Sequence, residues 1–340
     1  LVGSEMCIRD RSGGPTAVIN SSLAGVFKTA KDRGANKVYG MLHGIKGLLD
    51  KQYVDLSEKI KTDIDIDLLK RTPSSYLGSC RYKLPEISDD RETYEKIFEI
   101  LKELNISYFF YIGGNDSMDT IKKLSDYALL VGSDIKFMGV PKTIDNDLAV
   151  TDHTPGFGSA AKFIAATMKE IIRDGLVYDY PTVTIVEIMG RNAGYIALWC
   201  GIANGAEDIL LPEKYDYDEQ KLVNHIIENR KRGKQHHIIV NAEGIGHSTS
   251  MARRIEAATG IETRATILGH MQRGGSPTCT DRVYASMMGS YAVDLLAEGK
   301  TNRVVGYRHG DFVDYDIDEA LAMKKEIPEY QYEISKNLSL

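Results

Sequence analysis

At 340 residues, with 48 acidic against 42 basic side chains, the chain has room for one large or two smaller domains with a substantial core, and its mild acidity argues against a nucleic-acid partner. Its four cysteines, Cys7, Cys80, Cys200 and Cys279, lack any C-x-x-C spacing and indicate neither a disulfide framework nor a zinc site. No apolar run approaches the roughly 18 residues of a membrane span and no secretory signal pattern is present, so the expectation is an enzyme of a reducing cytoplasm with no membrane partner.

The first eleven residues, Leu1 to Arg11, are too charged for the buried strand that should lead into a first glycine turn, and they resemble translated adapter or vector sequence. The expectation is therefore a non-native tail over 1–11, with the first strand missing or replaced and the meaningful chain starting at Ser12. From there the pattern is strand, glycine-bearing turn, helix, repeated. Ser12-Gly13-Gly14-Pro15-Thr16 leads into a helix over about 17–31, and an amphipathic helix over about 91–104 precedes a strand over 108–112. That strand ends in Gly113-Gly114-Asn115-Asp116-Ser117, and the next, over 136–140, ends in Pro141-Lys142-Thr143-Ile144-Asp145-Asn146-Asp147. Further strands over 182–188, 237–242 and 265–268 end in Met189-Gly190-Arg191, in Glu243-Gly244 and in the stretch Gly269 to Gly275. Helices over 158–174, 219–232 and 281–297 fill the crossovers, which predicts an α/β fold with mainly parallel sheets flanked by helices. Trp199, Met287 and Met288 read as core.

Polar motifs thus recur at strand C-termini, where open α/β sheets bind ligands. A glycine turn lets backbone N–H groups approach a polyphosphate, while Asp116, Asp145 and Asp147 can hold magnesium and take a proton from an attacking hydroxyl. Each motif alone has an ordinary structural role, as a tight turn, a helix cap or a surface ion pair. Their co-occurrence at successive strand ends points to phosphoryl transfer.

Seven ordered motifs, spread from Ser12 to Gly275, resemble those of the phosphofructokinase family: Ser12-Gly13-Gly14, Leu77-Gly78-Ser79-Cys80-Arg81, the Gly113 and Pro141 motifs, Met189-Gly190-Arg191, Glu243, and Arg264 through Gly275. The resemblance extends to about Asp318. It implies a two-lobed fold, with 12–156 and 272–317 binding the phosphoryl donor and 157–271 and 318–340 binding fructose 6-phosphate. It implies Asp145 as the general base toward the sugar 1-hydroxyl, Thr143 at the sugar and the transferred group, and Gly13 and Arg81 at the donor phosphates. Met189, Gly190, Arg191 and Glu243 would contact the sugar phosphate, and His270 with Arg273 would hold its 6-phosphate. Magnesium would rest on Asn115 or Asp116 and Asp147. Arg264 matches an arginine that reaches in from a neighbouring subunit, which implies a homodimer or homotetramer.

Two positions bear on the donor. Asp116 and Lys142 are both glycine in ATP-dependent members of the family, and aspartate and lysine in pyrophosphate-dependent ones. A carboxylate at 116 repels the α-phosphate of ATP, and a lysine at 142 offers positive charge to a leaving phosphate that lacks the nucleotide's other anchors. The expected donor is therefore pyrophosphate, with ATP as the rival. Two departures stand out: Asn115 replaces an aspartate, and Thr182 stands where many ATP enzymes have an arginine for the acceptor phosphate.

Overall fold

The structure is a computed structural model that describes residues 1–10, 14–214 and 218–338. Among these the chain forms strands β1 (Glu5–Asp10), β2 (Lys37–Met41), β3 (Tyr53–Asp55), β4 (Ile106–Gly113), β5 (Lys136–Pro141), β6 (Thr182–Ile188), β7 (Asp208–Leu210), β8 (His236–Ala242), β9 (Glu262–Ile267), β10 (Arg303–Arg308) and β11 (Asp311–Asp316). Two compact units result. The first comprises Leu1–Thr143, Leu148–Ser159 and Ser276–Lys325, and the second Ile144–Asp147, Ala160–Gly275 and Glu326–Leu340.

The first unit holds a sheet of order β11-β10-β5-β4-β1-β2-β3. Its inner pairings, β10 with β5, β5 with β4, β4 with β1 and β1 with β2, are parallel, while β3 and β11 pair antiparallel at the two edges. The β10–β11 hairpin turns through His309 and Gly310, both in the left-handed region, as a two-residue hairpin requires. Side chains alternate between the faces, so Met6 and Ile8 pack into one core layer with Phe110, Met138 and Val305. Cys7, Phe109, Tyr111, Phe137 and Val304 enter the other. Helix Arg91–Glu103 starts at Asp90, whose carboxylate accepts from the Thr93 N–H at 3.1 Å. It buries Tyr94, Ile97, Ile100 and Leu101 on one face, the spacing of an amphipathic helix.

Residues 5–10 form a strand, although their charge pattern argued against a buried one there. A slot between β2 and β4 leaves both neighbours with unsatisfied backbone groups, and pairing there outweighs the poor local sequence. The cost falls on Arg9. Its side chain is 0% exposed, and its guanidinium nitrogens find no hydrogen-bond partner among the described residues. The charge sits 4.4 Å from the Tyr111 ring centroid, a cation–π contact, and burial pushes its pKa down.

In the same unit, helix Ile19–Asp32 packs closely on helix Cys279–Ala297. A Cβ on Gly25 would lie 2.1 Å from the Ser286 carbonyl oxygen, and one on Gly289 2.5 Å from that of Ser22, so the two backbones touch through glycine. Thr29 Oγ1 donates to Ser290 Oγ at 2.9 Å and Arg33 pairs with Asp294 at 2.7 Å along the seam.

The second unit has a four-stranded sheet of order β7-β8-β6-β9, parallel throughout. Val183, Ile185 and Ile239 pack with Leu222, Val223 and Ile226 of helix Glu219–Lys231 and with Met251 and Ile255 of helix Ser248–Thr259. Met288 is fully buried as expected, but Trp199 and Met287 are exposed, which corrects their reading as core. Each lies on a helix whose other face carries the burial, so hydrophobicity alone misplaces them.

Candidate active site

In the first unit the C-terminal ends of β1, β4 and β5 stand side by side. Gly13 lies outside the described residues. The loop that follows it brings the Gly14 carbonyl to the Lys142 ammonium, whose Nζ donates to it at 3.3 Å. Lys142 is 3% exposed, a cation held inside the protein at a strand end. Its own N–H donates to the Gly113 carbonyl at 2.8 Å, so the ladder between β4 and β5 continues into the two motifs. Gly114 caps helix Asn115–Val131, with Asn115 exposed and Asp116 half-buried in the first turn. A carboxylate there is favoured by the helix dipole, and the positive end of that dipole suits phosphate oxygens.

Thr143 is fixed from both sides of its peptide. Its N–H donates to the Pro155 carbonyl at 3.2 Å and its carbonyl accepts from Thr154 Oγ1 at 2.8 Å. Arg81 is exposed and lies on the rim of an open depression of about 880 Å³, lined also by His43, Lys46, Cys80, Tyr82 and Lys96.

The segment Ile144–Asp147 groups with the second unit. Asp145 and Asp147 are half-buried on either side of buried Asn146, whose φ of 55° makes the tight bend. Asp147 lies within electrostatic reach of Tyr195: burial, then the charges of Glu213 and Asp147, hold that phenol above the usual tyrosine range.

At the end of β6, Glu243 organises the Met189-Gly190-Arg191 turn. Its Oε2 accepts from the Gly190 N–H at 3.2 Å and from the Arg191 N–H at 3.1 Å. Its own N–H donates to the Ile188 carbonyl at 2.7 Å. Gly190 has φ of 149°, and a Cβ there would lie 2.3 Å from the Ala193 carbonyl oxygen, so no other residue fits. The Arg191 side chain is exposed, from a backbone at φ of 53°. His270 and Arg273 come from the 3₁₀ turn Gly269–Arg273 beyond β9, His270 exposed and Arg273 half-buried.

Gln272, which the sequence motif carries without a role, connects these two elements. It is buried, its Oε1 accepts from the Met189 N–H at 3.0 Å, and its Nε2 donates to the Gly269 carbonyl at 3.0 Å. Met189, Gly190, Arg191 and Glu243 thus form one hydrogen-bonded set with Gln272, which sits in the same 3₁₀ turn as His270 and Arg273. The only sequence signal for Gln272 was its place between His270 and Arg273.

Arg264 does not join that set. It sits within β9, the edge strand of this sheet, with its guanidinium 2.7 Å from Glu262 Oε1 and 4.9 Å from the Tyr178 ring centroid. The hydrogen bonds it donates to Tyr178 and Glu262 hold it more firmly protonated than an ordinary arginine. Thr182 lies at the start of β6, at the opposite end of that strand from Met189, and hydrogen-bonds His236 Nδ1 at 2.9 Å.

The arrangement offers two chemistries: a buried cation beside a helix N-terminus in one unit, suited to phosphate, and a polar set at strand ends in the other, suited to a sugar phosphate. Among curated proteins the chain is 39% identical to the ATP-dependent 6-phosphofructokinase of Clostridium botulinum (strain Loch Maree / Type A3) over 328 residues, 96% of this chain and 97% of the relative. It is 40% identical, with the same coverage, to the enzyme of that name from Clostridium acetobutylicum. Among solved structures it resembles the pyrophosphate-dependent phosphofructokinases of Marinobacter aquaeolei, at 33% identity, and Nitrosospira multiformis, at 31%. Both have a TM-score of 0.85, and the match covers 96% of this chain and 86% of each of those. Residues 10–296 match the family model described as Phosphofructokinase, and with most of its length accounted for in this way the chain belongs to the phosphofructokinase family.

Proposed function

We propose that this chain transfers a phosphoryl group from pyrophosphate to the 1-hydroxyl of fructose 6-phosphate, giving fructose 1,6-bisphosphate and phosphate. The observation that carries the donor is Lys142, a nearly buried ammonium at the β5 end whose Nζ meets the Gly14 carbonyl of the loop after β1. A desolvated, fixed cation stabilises charge developing on a leaving phosphate far better than a solvated one. Asp116, in the first turn of its helix, opposes a nucleotide α-phosphate by like-charge repulsion.

Asp145 accepts the proton of the attacking hydroxyl as its oxygen bonds to phosphorus and the bond to the leaving phosphate breaks. Thr143 and the N–H groups near Gly13 orient the donor, with Arg81 at its outer oxygens. Met189, Gly190, Arg191 and Glu243 hold the sugar, and His270 with Arg273 its 6-phosphate. Asn115, Asp116 and Asp147 supply an amide oxygen and carboxylates, the hard donors magnesium takes beside substrate phosphates, and they would hold it. When bound, that ion neutralises charge on the transferring group. Arg264, on an exposed edge strand, completes the acceptor site of a second copy in a homodimer or homotetramer.

ATP is the second reading, favoured by the names of the relatives at 39% and 40% identity and by the roomy depression beside Arg81. Purified protein supplied with fructose 6-phosphate, magnesium and one donor at a time separates the two. The expected result is fructose 1,6-bisphosphate formation with a higher kcat/KM for pyrophosphate. A preference for ATP overturns the donor assignment, and no product with either donor overturns the reaction.

A further inference from the structure

One cluster in the second unit has no part in that chemistry. Asp208 opens β7, His237 is the second residue of β8, and His225 projects from helix Glu219–Lys231, so three regular elements converge on one point. His237 Nε2 lies 2.6 Å from Asp208 Oδ2, and His225 Nδ1 lies 3.0 and 3.1 Å from the two Asp208 oxygens. The donor atoms of all three side chains fall within 4.8 Å of one another, and among the described residues no other three histidine, cysteine or acidic side chains meet this way. Asn229, one turn after His225, presents its Nδ2 to the far nitrogens of both rings, 3.1 Å from His225 Nε2 and 3.5 Å from His237 Nδ1. The cluster lies at the N-terminal edge of the strands, whereas Met189 and Glu243 follow their C-terminal ends.

We infer that Asp208, His225 and His237 form a binding site for a divalent transition-metal ion of the zinc class. Two imidazoles and one carboxylate are a donor set that zinc favours, at about 2.0–2.2 Å from each donor atom. At those metal–donor distances tetrahedral donor atoms lie about 3.3–3.6 Å apart, so the His225 contacts at 3.0 and 3.1 Å need to open by a few tenths of an ångström and the His237 contact at 2.6 Å by somewhat under about 1 Å. His237 is 5% exposed and Asp208 21%, while His225 at 36% leaves one side open for the ion to enter and for water to take the fourth position.

Asn229 makes the site reversible. Without metal, its amide N–H₂ faces both outer ring nitrogens, and each ring donates its inner N–H to Asp208. With metal, the inner nitrogens lose their protons to become ligands and the outer ones carry N–H. A half-turn of the Asn229 amide then presents its oxygen to both, the outer-shell hydrogen bond that metal-bound histidines ordinarily make. An ion there ties the helix carrying His225 to the β7–β8 edge.

The test is titration of chelator-treated full-length protein with zinc, followed by calorimetry and thermal unfolding, and with cobalt(II), followed by its visible absorption. The expected result is one equivalent bound per chain, a raised Tm and a tetrahedral cobalt spectrum. His225→Gln, at the most exposed ligand, should weaken binding by at least tenfold, and Asn229→Ala by about 10- to 100-fold. Asp208→Asn should abolish it; should that variant fail to fold, His225→Gln still decides. Absence of stoichiometric binding by the wild type overturns the proposal. So does undiminished binding by His225→Gln, which would put the ion elsewhere, for instance at the exposed Cys279 thiol.

Discussion

The proposed donor-side and sugar-side regions are built on opposite plans. In the first unit the charge proposed to act on the donor, Lys142, is nearly buried, and Thr143 is bonded at both its N–H and its carbonyl. In the second, the polar side chains of Arg191 and His270 are exposed on turns, and what is fixed is the backbone of the Met189–Arg191 turn, through Glu243 and Gln272. Burial strengthens a charge by removing water, so the donor side suits transition-state stabilisation. An exposed arginine on a rigid turn suits capture of a solvated phosphate. The difference teaches that changes on the two sides should register in different kinetic constants.

The largest effect should come from Asp145→Asn, which keeps shape but removes the proton acceptor. Turnover is expected to fall on the order of 10²- to 10⁴-fold with fructose 6-phosphate affinity little changed. Near-native kcat at saturating substrates would remove Asp145 from the role of base. Next, Lys142→Met keeps length without charge and should cost about 10²- to 10³-fold in kcat/KM with pyrophosphate, roughly 3 kcal/mol. If only KM rose, the buried cation would be a binding group and the contrast between the sides would collapse. Glu243→Gln weakens two backbone contacts to a carboxylate, so KM for fructose 6-phosphate should rise about tenfold while kcat changes less. A loss confined to kcat would mean that this turn acts on the chemical step. The smallest effect concerns a buried cation with no such use. Arg9→Met should stabilise the protein by about 1 kcal/mol, a Tm gain of a few degrees with unchanged kinetics. A lower Tm by calorimetry would show that the contact with Tyr111 outweighs desolvation.

How far the sequence foretold these features depended on how local each signal was. β4, β5, β6 and β8 carry largely apolar or β-branched stretches followed by polar motifs, and those stretches form strands nearly where the pattern put them. β1 was illegible because its charge pattern is wrong and only its neighbours recommend the slot. The β10–β11 hairpin escaped because both strands are partly exposed and carry charges, although Gly310 marks the turn. At the site, residue types bearing charge or a glycine turn were visible as motifs. Gln272 was not, since a neutral amide between His270 and Arg273 gives no hint that it is buried and bonded to the end of a different strand. The Asp208 cluster was equally hidden, because its members are separated by 17 and 12 positions and share no motif.

The glycine-lined seam between helix Ile19–Asp32 and helix Cys279–Ala297 has a consequence for the order of events during synthesis. The first unit cannot close its core until a helix ending near residue 297 has left the ribosome. The sheet of the second unit lies wholly within residues 182–267 and can pair earlier. Until helix Cys279–Ala297 emerges, Leu23, Val26 and Phe27 lack the cover that Met288, Ala292 and Val293 give their core layer, while the later-made part can fold. That inverts the usual amino-terminal-first sequence and exposes the nascent chain to aggregation over most of its translation.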